Sequence, residues 1–460
     1  MTSAQPPATS LPSDRLAELR EAVAREMPGV RRDLEALVRI PSVSERAFDQ
    51  AHVAASATAV ADLLRAAGLR DVDVIDEGGA PAVVGHLDGP EAAPTVLLYA
   101  HHDVQPPGQD ADWTSAPFEP TERDGRLYGR GAADDKAGVM AHLAAIRAHG
   151  GRPPVNLTVF VEGEEESGSP SLGRILEAHR DRLAADVLVL ADSTNWKIGV
   201  PALTTSLRGL VEAYVEVRTL DHAVHSGMYG GAAVDAVTAL IRLLSTLHDD
   251  AGDVAVQGLV SSEAADLDLT EDQLRADAGV LDGVSLIGTG SLTSRLWTKP
   301  ALTVVGFDAT PTDKASNTLA AQAKAKISMR VAPGQDADEA YDLLARHLRE
   351  HAPWNVQVDV RVRETGQPFK ADVEGPAYDA ARAAFADAWG VEPVDMGIGG
   401  SIPFIADFAA IYPDAAILVT GVEDPDTRAH GANESLHLGE FERVCVAEAV
   451  LLERLGSLPR

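Results

Sequence analysis

The sequence predicts an α/β protein: a mostly parallel-sheet domain split by an inserted α+β domain. Three observations carry this. Short, almost wholly apolar runs alternate with helical patterns through the first part of the chain. Near residue 208 the texture changes to strands that alternate apolar and polar positions, as half-exposed antiparallel strands do. After residue 370 the buried-strand texture returns.

Residues 1–13 are rich in Pro, Ser, Thr and Ala and are expected to be disordered. Ser13 has the character of a helix N-cap, and Leu16, Leu19, Val23 and Met27 then recur at helical spacing. A second helical stretch carries Leu34, Leu37 and Val38 and is ended by Pro41, and a third covers 48–67. Strands are expected at 72–75 and 82–85. Three more, at 95–100, 157–161 and 187–191, are apolar almost throughout, as strands covered on both faces are. Helical patterns at 135–148 and 170–183 separate them. In the insertion, 211–217, 301–306, 323–331 and 355–363 read as strands, 232–247 and 337–350 as helices, and 248–285 as an acidic loop. Residues 415–419 form a further buried strand, and there is no internal repeat.

The chain has 460 residues, with 70 Asp plus Glu against 39 Lys plus Arg and a formal charge of -31. That balance argues against nucleic acid and against anionic membrane surfaces, both of which require basic patches. It fits solubility, and it also fits a carboxylate cluster. The single cysteine, Cys445, excludes an internal disulfide. It lies in a helical apolar pattern with Phe441, Val444 and Ala449, so it reads as core rather than nucleophile. The start, Met1-Thr2-Ser3-Ala4-Gln5-Pro6-Pro7, lacks the basic and apolar regions of a signal peptide, and no uncharged apolar run reaches the ~18 residues of a membrane span. A cytoplasmic location is the expectation.

The reactive residue types fall at the C-terminal ends of the apolar strands, the edge where open α/β sheets bind ligands. His101 and Asp103, two apart on extended chain, point the same way, so His101 can hold a metal while Asp103 supports its other ring nitrogen. Alone, this also fits a surface His–Asp pair. Asp134, in Arg130-Gly131-Ala132-Ala133-Asp134-Asp135-Lys136, could bridge two cations or cap the helix that follows. Glu162-Gly163-Glu164-Glu165-Glu166 follows a buried strand directly, where a solvated charge run is not expected. Adjacent carboxylates can divide their labour, one on a metal and the next as a general base. Asp192 follows another apolar strand, and His430 lies far along the chain. Together they make a reasonable shell for two borderline metal ions.

In this order the elements resemble the M20 family of metallopeptidases, and within it the carnosinase-like dipeptidases. Ala100-His101-His102-Asp103-Val104-Gln105-Pro106 looks like that family's GHxDVQP, Gly129 to Lys136 like GRGxxDxK, and Glu162 to Ser169 like EGxEExGS. His225-Ser226-Gly227 and Gly399-Gly400-Ser401-Ile402-Pro403 also match, so the likeness runs from about 35 to 455. It implies a catalytic domain formed by 1–207 and 370–460, and a lid and dimerisation domain at 208–369. It implies two divalent ions, zinc or else manganese or cobalt, with His101 and Asp192 on one and Glu166 and His430 on the other. Asp134 would bridge them, Asp103 would orient His101, and Glu165 would be the general base. His225 would reach the active site of a homodimer partner and stabilise the oxyanion. Arg330 would bind the substrate carboxylate, with Asn317 and Ser401 as further substrate contacts. The substrate implied is a dipeptide or short peptide. An N-acyl or N-succinyl amino acid is the alternative, with the same metal chemistry.

The sequence departs from the family pattern in places. Ala100 replaces a glycine, Glu164 adds a third consecutive carboxylate, and Asn-Thr-Leu-Ala at Asn317 replaces Asn-Val-Ile-Pro. Gly397-Ile398 stands where relatives often carry Arg-Glu, which bears on that side of the pocket. Ser167-Gly168-Ser169 sets the register of the acidic run and assigns the roles to Glu165 and Glu166.

Overall fold

A computed structural model describes residues 11–400 and 403–458. Residues 1–10, most of the segment expected to be disordered, lie outside the described residues. Ser13 is not an N-cap but the first residue of a helix, Ser13–Val38, whose cap position is Pro12. The two helical stretches expected here are one. Pro28 sits inside it, yet Leu19, Val23, Val30, Leu34 and Leu37 form a single buried stripe across it. Packing of that stripe outweighs the ~3 kcal/mol that an interior proline costs a helix.

The described residues form two compact units, the first made of the chain up to Thr205 with Ala371–Met396 and Asp407 onward, the second of Ser206–Lys370 with Gly397–Ala406. In the first unit the strands lie in the order 70–75, 82–87, 156–162, 95–101, 187–190, 416–419 and then 202–207. The central four pair in parallel. The outer pairings, 70–75 with 82–87, 82–87 with 156–162 and 416–419 with 202–207, are antiparallel. The result is a mixed α/β architecture with a mainly parallel central sheet, as the sequence predicts. The Thr95–His101 strand is buried along nearly its whole length, matching its continuous apolar sequence.

Three helices, Ser13–Val38, Lys136–Ala148 and Leu438–Leu455, pack together in this unit. Cys445 is buried in the last of them. Their contact encloses an ion pair. His142 Nδ1 lies 2.7 Å from Glu448 Oε1, and His142 Nε2 lies 2.9 Å from the carbonyl of Tyr99. Both partners are acceptors, so both ring nitrogens donate and the ring is an imidazolium. Burial opposes that charge, and Glu448 more than offsets it, raising the His142 pKa.

The second unit holds an antiparallel sheet in the order 301–308, 322–331, 209–218, 357–366. Residues 209–218 and 322–331 alternate buried and half-buried positions. Helices Ala236–Leu244 and Ala337–Glu350 join them in one apolar core. The expected acidic loop contains a helix, Glu271–Ala278. Thr270 caps it, Glu271 and Asp272 occupy its positive end, and Gly279 closes it in the left-handed conformation. None of its residues is buried, so it leaves no apolar period in the sequence. Among the described residues no helix is long and apolar enough to cross a membrane.

The His142–Glu448 pair gives a test of the core. Glu448→Ala strands a buried imidazolium and should cost about 3–5 kcal/mol in chemical denaturation. Because the folded His142 pKa is raised, the pair's contribution is fully present below the unfolded value near ~6.5 and is lost as pH rises through the folded value. The gap between the native chain and Glu448→Ala should therefore narrow with rising pH.

Candidate metal centre

Parallel strands end at a common edge, and that edge assembles the site. His101 is the last residue of the Thr95–His101 strand, paired with Glu162 at the end of Asn156–Glu162. Asp192 lies just past Val187–Leu190. The turn before the Lys136–Ala148 helix contributes Asp134, and the long connection after Ala416–Val419 contributes His430.

Asp134 is the centre of the arrangement. Its Oδ1 lies 3.1 Å from His101 Nε2, and its Oδ2 lies 3.1 Å from His430 Nε2. Asp192 Oδ1 is 3.9 Å from His101 Nε2, and Glu166 Oε2 is 3.2 Å from His430 Nε2. Two donor groups result, His101–Asp134–Asp192 and Asp134–Glu166–His430, each with its ligand atoms within 4.8 Å of one another. Asp134 belongs to both. It is not the helix cap, since Asp135 holds that position.

The acidic run divides cleanly. Glu164 turns away from the centre: its carboxylate accepts from the amides of Ala80 at 2.8 Å and Ser171 at 2.6 Å, and bonds the Ser171 hydroxyl. Glu165 Oε2 comes to 4.0 Å from His101 Nε2. Glu166 is fixed by Gln105, whose amide and side chain donate to its two carboxylate oxygens at 3.1 and 2.8 Å. Asp103 does more than flank the imidazole. His101 Nδ1 lies 3.1 Å from the Asp103 carbonyl and 3.4 Å from its carboxylate. The carboxylate mainly accepts from the amides of Glu165 at 3.2 Å and Glu166 at 3.1 Å, so Asp103 orients the acidic turn as well as the ring.

The electrostatics fit a site for cations. With Nδ1–H of His101 committed to Asp103, the Nε2 lone pair faces Asp134 and Asp192. Lone pairs so opposed need a proton or a metal ion between them. Burial lowers the His101 pKa, but hydrogen bonds that the protonated ring donates to Asp103 and Asp134 raise it well above the ordinary value. His430 is pushed up to about 11 by Asp134 and Glu166. Burial opposes the charge of Asp134, yet His101 and His430 hold its pKa well below the usual range. The remaining carboxylates move the other way. Burial and then neighbouring charge raise Asp192 to about 7, and push Glu165 and Glu423 well above normal. More negative groups are gathered here than two imidazoles can balance, and nitrogen and carboxylate donors of this kind suit two borderline divalent ions.

His225, Asn317 and Arg330 belong to the second unit. There His225 and Asn317 are neighbours: residues 224–225 pair with 318–319, and Ser226 N donates to the Asn317 carbonyl at 2.9 Å. His225 Nδ1 accepts from Gly227 N at 3.0 Å, which leaves Nε2 as the protonated nitrogen of the neutral, exposed ring. Arg330 is half-buried in the 322–331 strand, opposite Leu210 and Ala301. Ser401 lies outside the described residues. Gln105, Glu423 and Glu434 were not assigned from sequence. Gln105 stands inside the quoted stretch at 100–106, four residues after His101, and Glu434 lies four residues after His430; only their partners reveal what they hold.

Peptidase family M20/M25/M40 matches residues 97–454. The chain belongs to that family. It is 39% identical over 385 residues to a cysteinylglycine-S-conjugate dipeptidase of Corynebacterium striatum, covering 82% of this chain and 85% of that protein. A Cys-Gly metallodipeptidase of Candida albicans is 30% identical over 449 residues, covering 90% of this chain and 91% of that one. In three dimensions the chain is similar to human carnosine dipeptidase 1, with a TM-score of 0.76 and 26% identity over 98% of this chain and 100% of that one.

The division of the acidic run can be tested by stability alone. Glu164→Ala leaves buried donors unpaired and should cost about 1–3 kcal/mol in denaturant unfolding. Glu165→Gln removes one charge from a crowded set and should leave the melting temperature of metal-stripped protein unchanged or higher.

Proposed function

We propose that this M20 peptidase hydrolyses the peptide bond of dipeptides or short peptides with two divalent metal ions, zinc by first preference. The observation that carries the proposal is the sharing of Asp134 between two donor groups while Glu165, close by, belongs to neither. His101 and Asp192 would hold one ion, Glu166 and His430 the other, and Asp134 both. When bound, such a pair supplies Lewis acidity, polarising the scissile carbonyl and lowering the pKa of water toward ~7.

The chain's own residues carry the protons. Glu165 takes one from the attacking water at its carboxylate and delivers it to the leaving amine nitrogen as the C–N bond breaks. Asp103 and Gln105 keep the acidic turn in register for it. Arg330 would pair with the substrate's free carboxylate through its planar fork of donors. Asn317 and Ser401 would add substrate contacts. His225, with Nε2–H available, would donate to the oxyanion in the active site of a homodimer partner. The names of the relatives support the dipeptide reading, and the ionic balance and expected cytoplasmic location are compatible with it.

The deciding experiment is hydrolysis of dipeptides, tripeptides, N-acetyl and N-succinyl amino acids after chelation and restoration of zinc or manganese. Metal-dependent cleavage of free dipeptides is expected. Cleavage of the acylated compounds alone would move the enzyme to the deacylases. Glu165→Gln should keep both ions and lose ~10²–10⁴-fold in kcat; undiminished turnover would refute its role. Light scattering should find a dimer, and a fully active monomer would remove the role given to His225.

A further inference from the structure

The segment from Gly129 to Asp134 has no regular secondary structure and is buried throughout. Buried irregular backbone must place each amide on an acceptor. One residue supplies most of them. Glu434 Oε2 accepts from Gly131 N at 3.0 Å and Arg130 Nη1 at 2.7 Å, and its Oε1 accepts from Ala133 N at 3.0 Å and Asp134 N at 3.2 Å. The Glu434 carbonyl accepts from Gly129 N at 3.0 Å, and Arg130 Nη2 returns a bond to the Gly431 carbonyl at 3.1 Å. Glu434 itself has no exposed surface. His430 sits four residues earlier on the same stretch.

We propose that Glu434 is the positioning residue of the metal centre, setting Asp134 and His430 in one rigid frame through the amides of the Asp134 turn. The proposal rests on the dinuclear reading of Asp134. A carboxylate is the group this task requires, because two oxygens must each accept from two donors at once. Glutamine has the same shape but a single acceptor oxygen. Its NH2 would face either Gly131 and Arg130 or Ala133 and Asp134, and the turn would have to move. An alternative duty, neutralising the buried Arg130, would need only one opposite charge and would be indifferent to the amides.

The test compares the full chain with Glu434→Gln, Arg130→Met/Glu434→Gln and Glu448→Gln. Zinc and manganese are titrated into chelator-stripped protein, and hydrogen exchange is followed in the peptide covering 131–134. Glu434→Gln should raise the metal concentration for half-occupancy ~10–100-fold and speed exchange of those amides. The double variant should stay impaired, since the amides still lack acceptors. Glu448→Gln should lower the melting temperature without moving metal affinity, as a structural loss away from the turn does. Wild-type affinity in Glu434→Gln would overturn the proposal, and recovery in the double variant would assign Glu434 to Arg130 instead. Fast exchange of 131–134 in the native chain would also overturn it, without need of any variant. A native chain that binds neither metal would sink the dinuclear reading itself, a result visible before any variant is made.

Discussion

Asp134 divides its two oxygens between two imidazoles, one from a strand end at position 101 and one from a loop at position 430, each at 3.1 Å. That contact constrains the rest of the first unit. Three regions remote in sequence must meet at one carboxylate, and further carboxylates must stand beside it without driving it apart. A parallel sheet solves the first problem, because its central strands deliver His101, Glu162 and the approach to Asp192 at one edge. The second problem is handled by pairing carboxylate oxygens with backbone amides. Asp103 accepts from Glu165 and Glu166, Glu166 from Gln105, and Glu434 from the Asp134 turn. Amide donors stabilise negative charge at fixed positions without adding mobile cations that would compete for the site.

The three consecutive glutamates show how little separates structure from chemistry here. They are identical in side chain and differ in which way the turn aims them. Glu164 is taken up by Ala80 and Ser171, Glu166 by Gln105 and His430, and Glu165 is left directed at the centre. Asp103 sets that turn from below, through the amides of the second and third. The run is therefore one brace, one candidate base and one candidate ligand, assigned by backbone rather than by residue type.

The sheet was legible because strands covered on both faces write themselves as continuous apolar runs, as Thr95–His101 does. The Glu271–Ala278 helix was not, because nothing in it is buried and it leaves no period. Ser13 misled as a cap, and one helix read as two, for a related reason: local capping and proline preferences are worth a few kcal/mol, and a buried stripe from Leu19 to Leu37 runs straight through Pro28. At the site, strand-end placement picked out His101, Asp192 and the acidic run, residue type added Asp134 and His430, and the likeness to the M20 family singled out Glu166 within the run; the fold gathers these five into two groups sharing Asp134. The supporting residues were harder. Nothing in the letter sequence says that Glu434 accepts four hydrogen bonds, because its donors are mostly backbone and have no residue type to read.

Rigidity is not distributed evenly around the centre. His101 is completely buried at the end of a central strand, whereas the His430 side chain is 60% exposed on a loop. His430 and Asn433 both hold left-handed backbone, a conformation that costs about 1–3 kcal/mol for a residue other than glycine. That strain persists only where neighbours over-determine the loop. Asn433 bonds Thr114 and Asp112, Arg126 grips Asp424 with both nitrogens, and Glu434 closes on the Asp134 turn. On the proposed reading, the first unit therefore holds one ligand by sheet geometry and the other by a braced, strained loop. Each cation taken up would relieve repulsion that exists only in the folded chain, so binding free energy at this centre would be folding free energy as well.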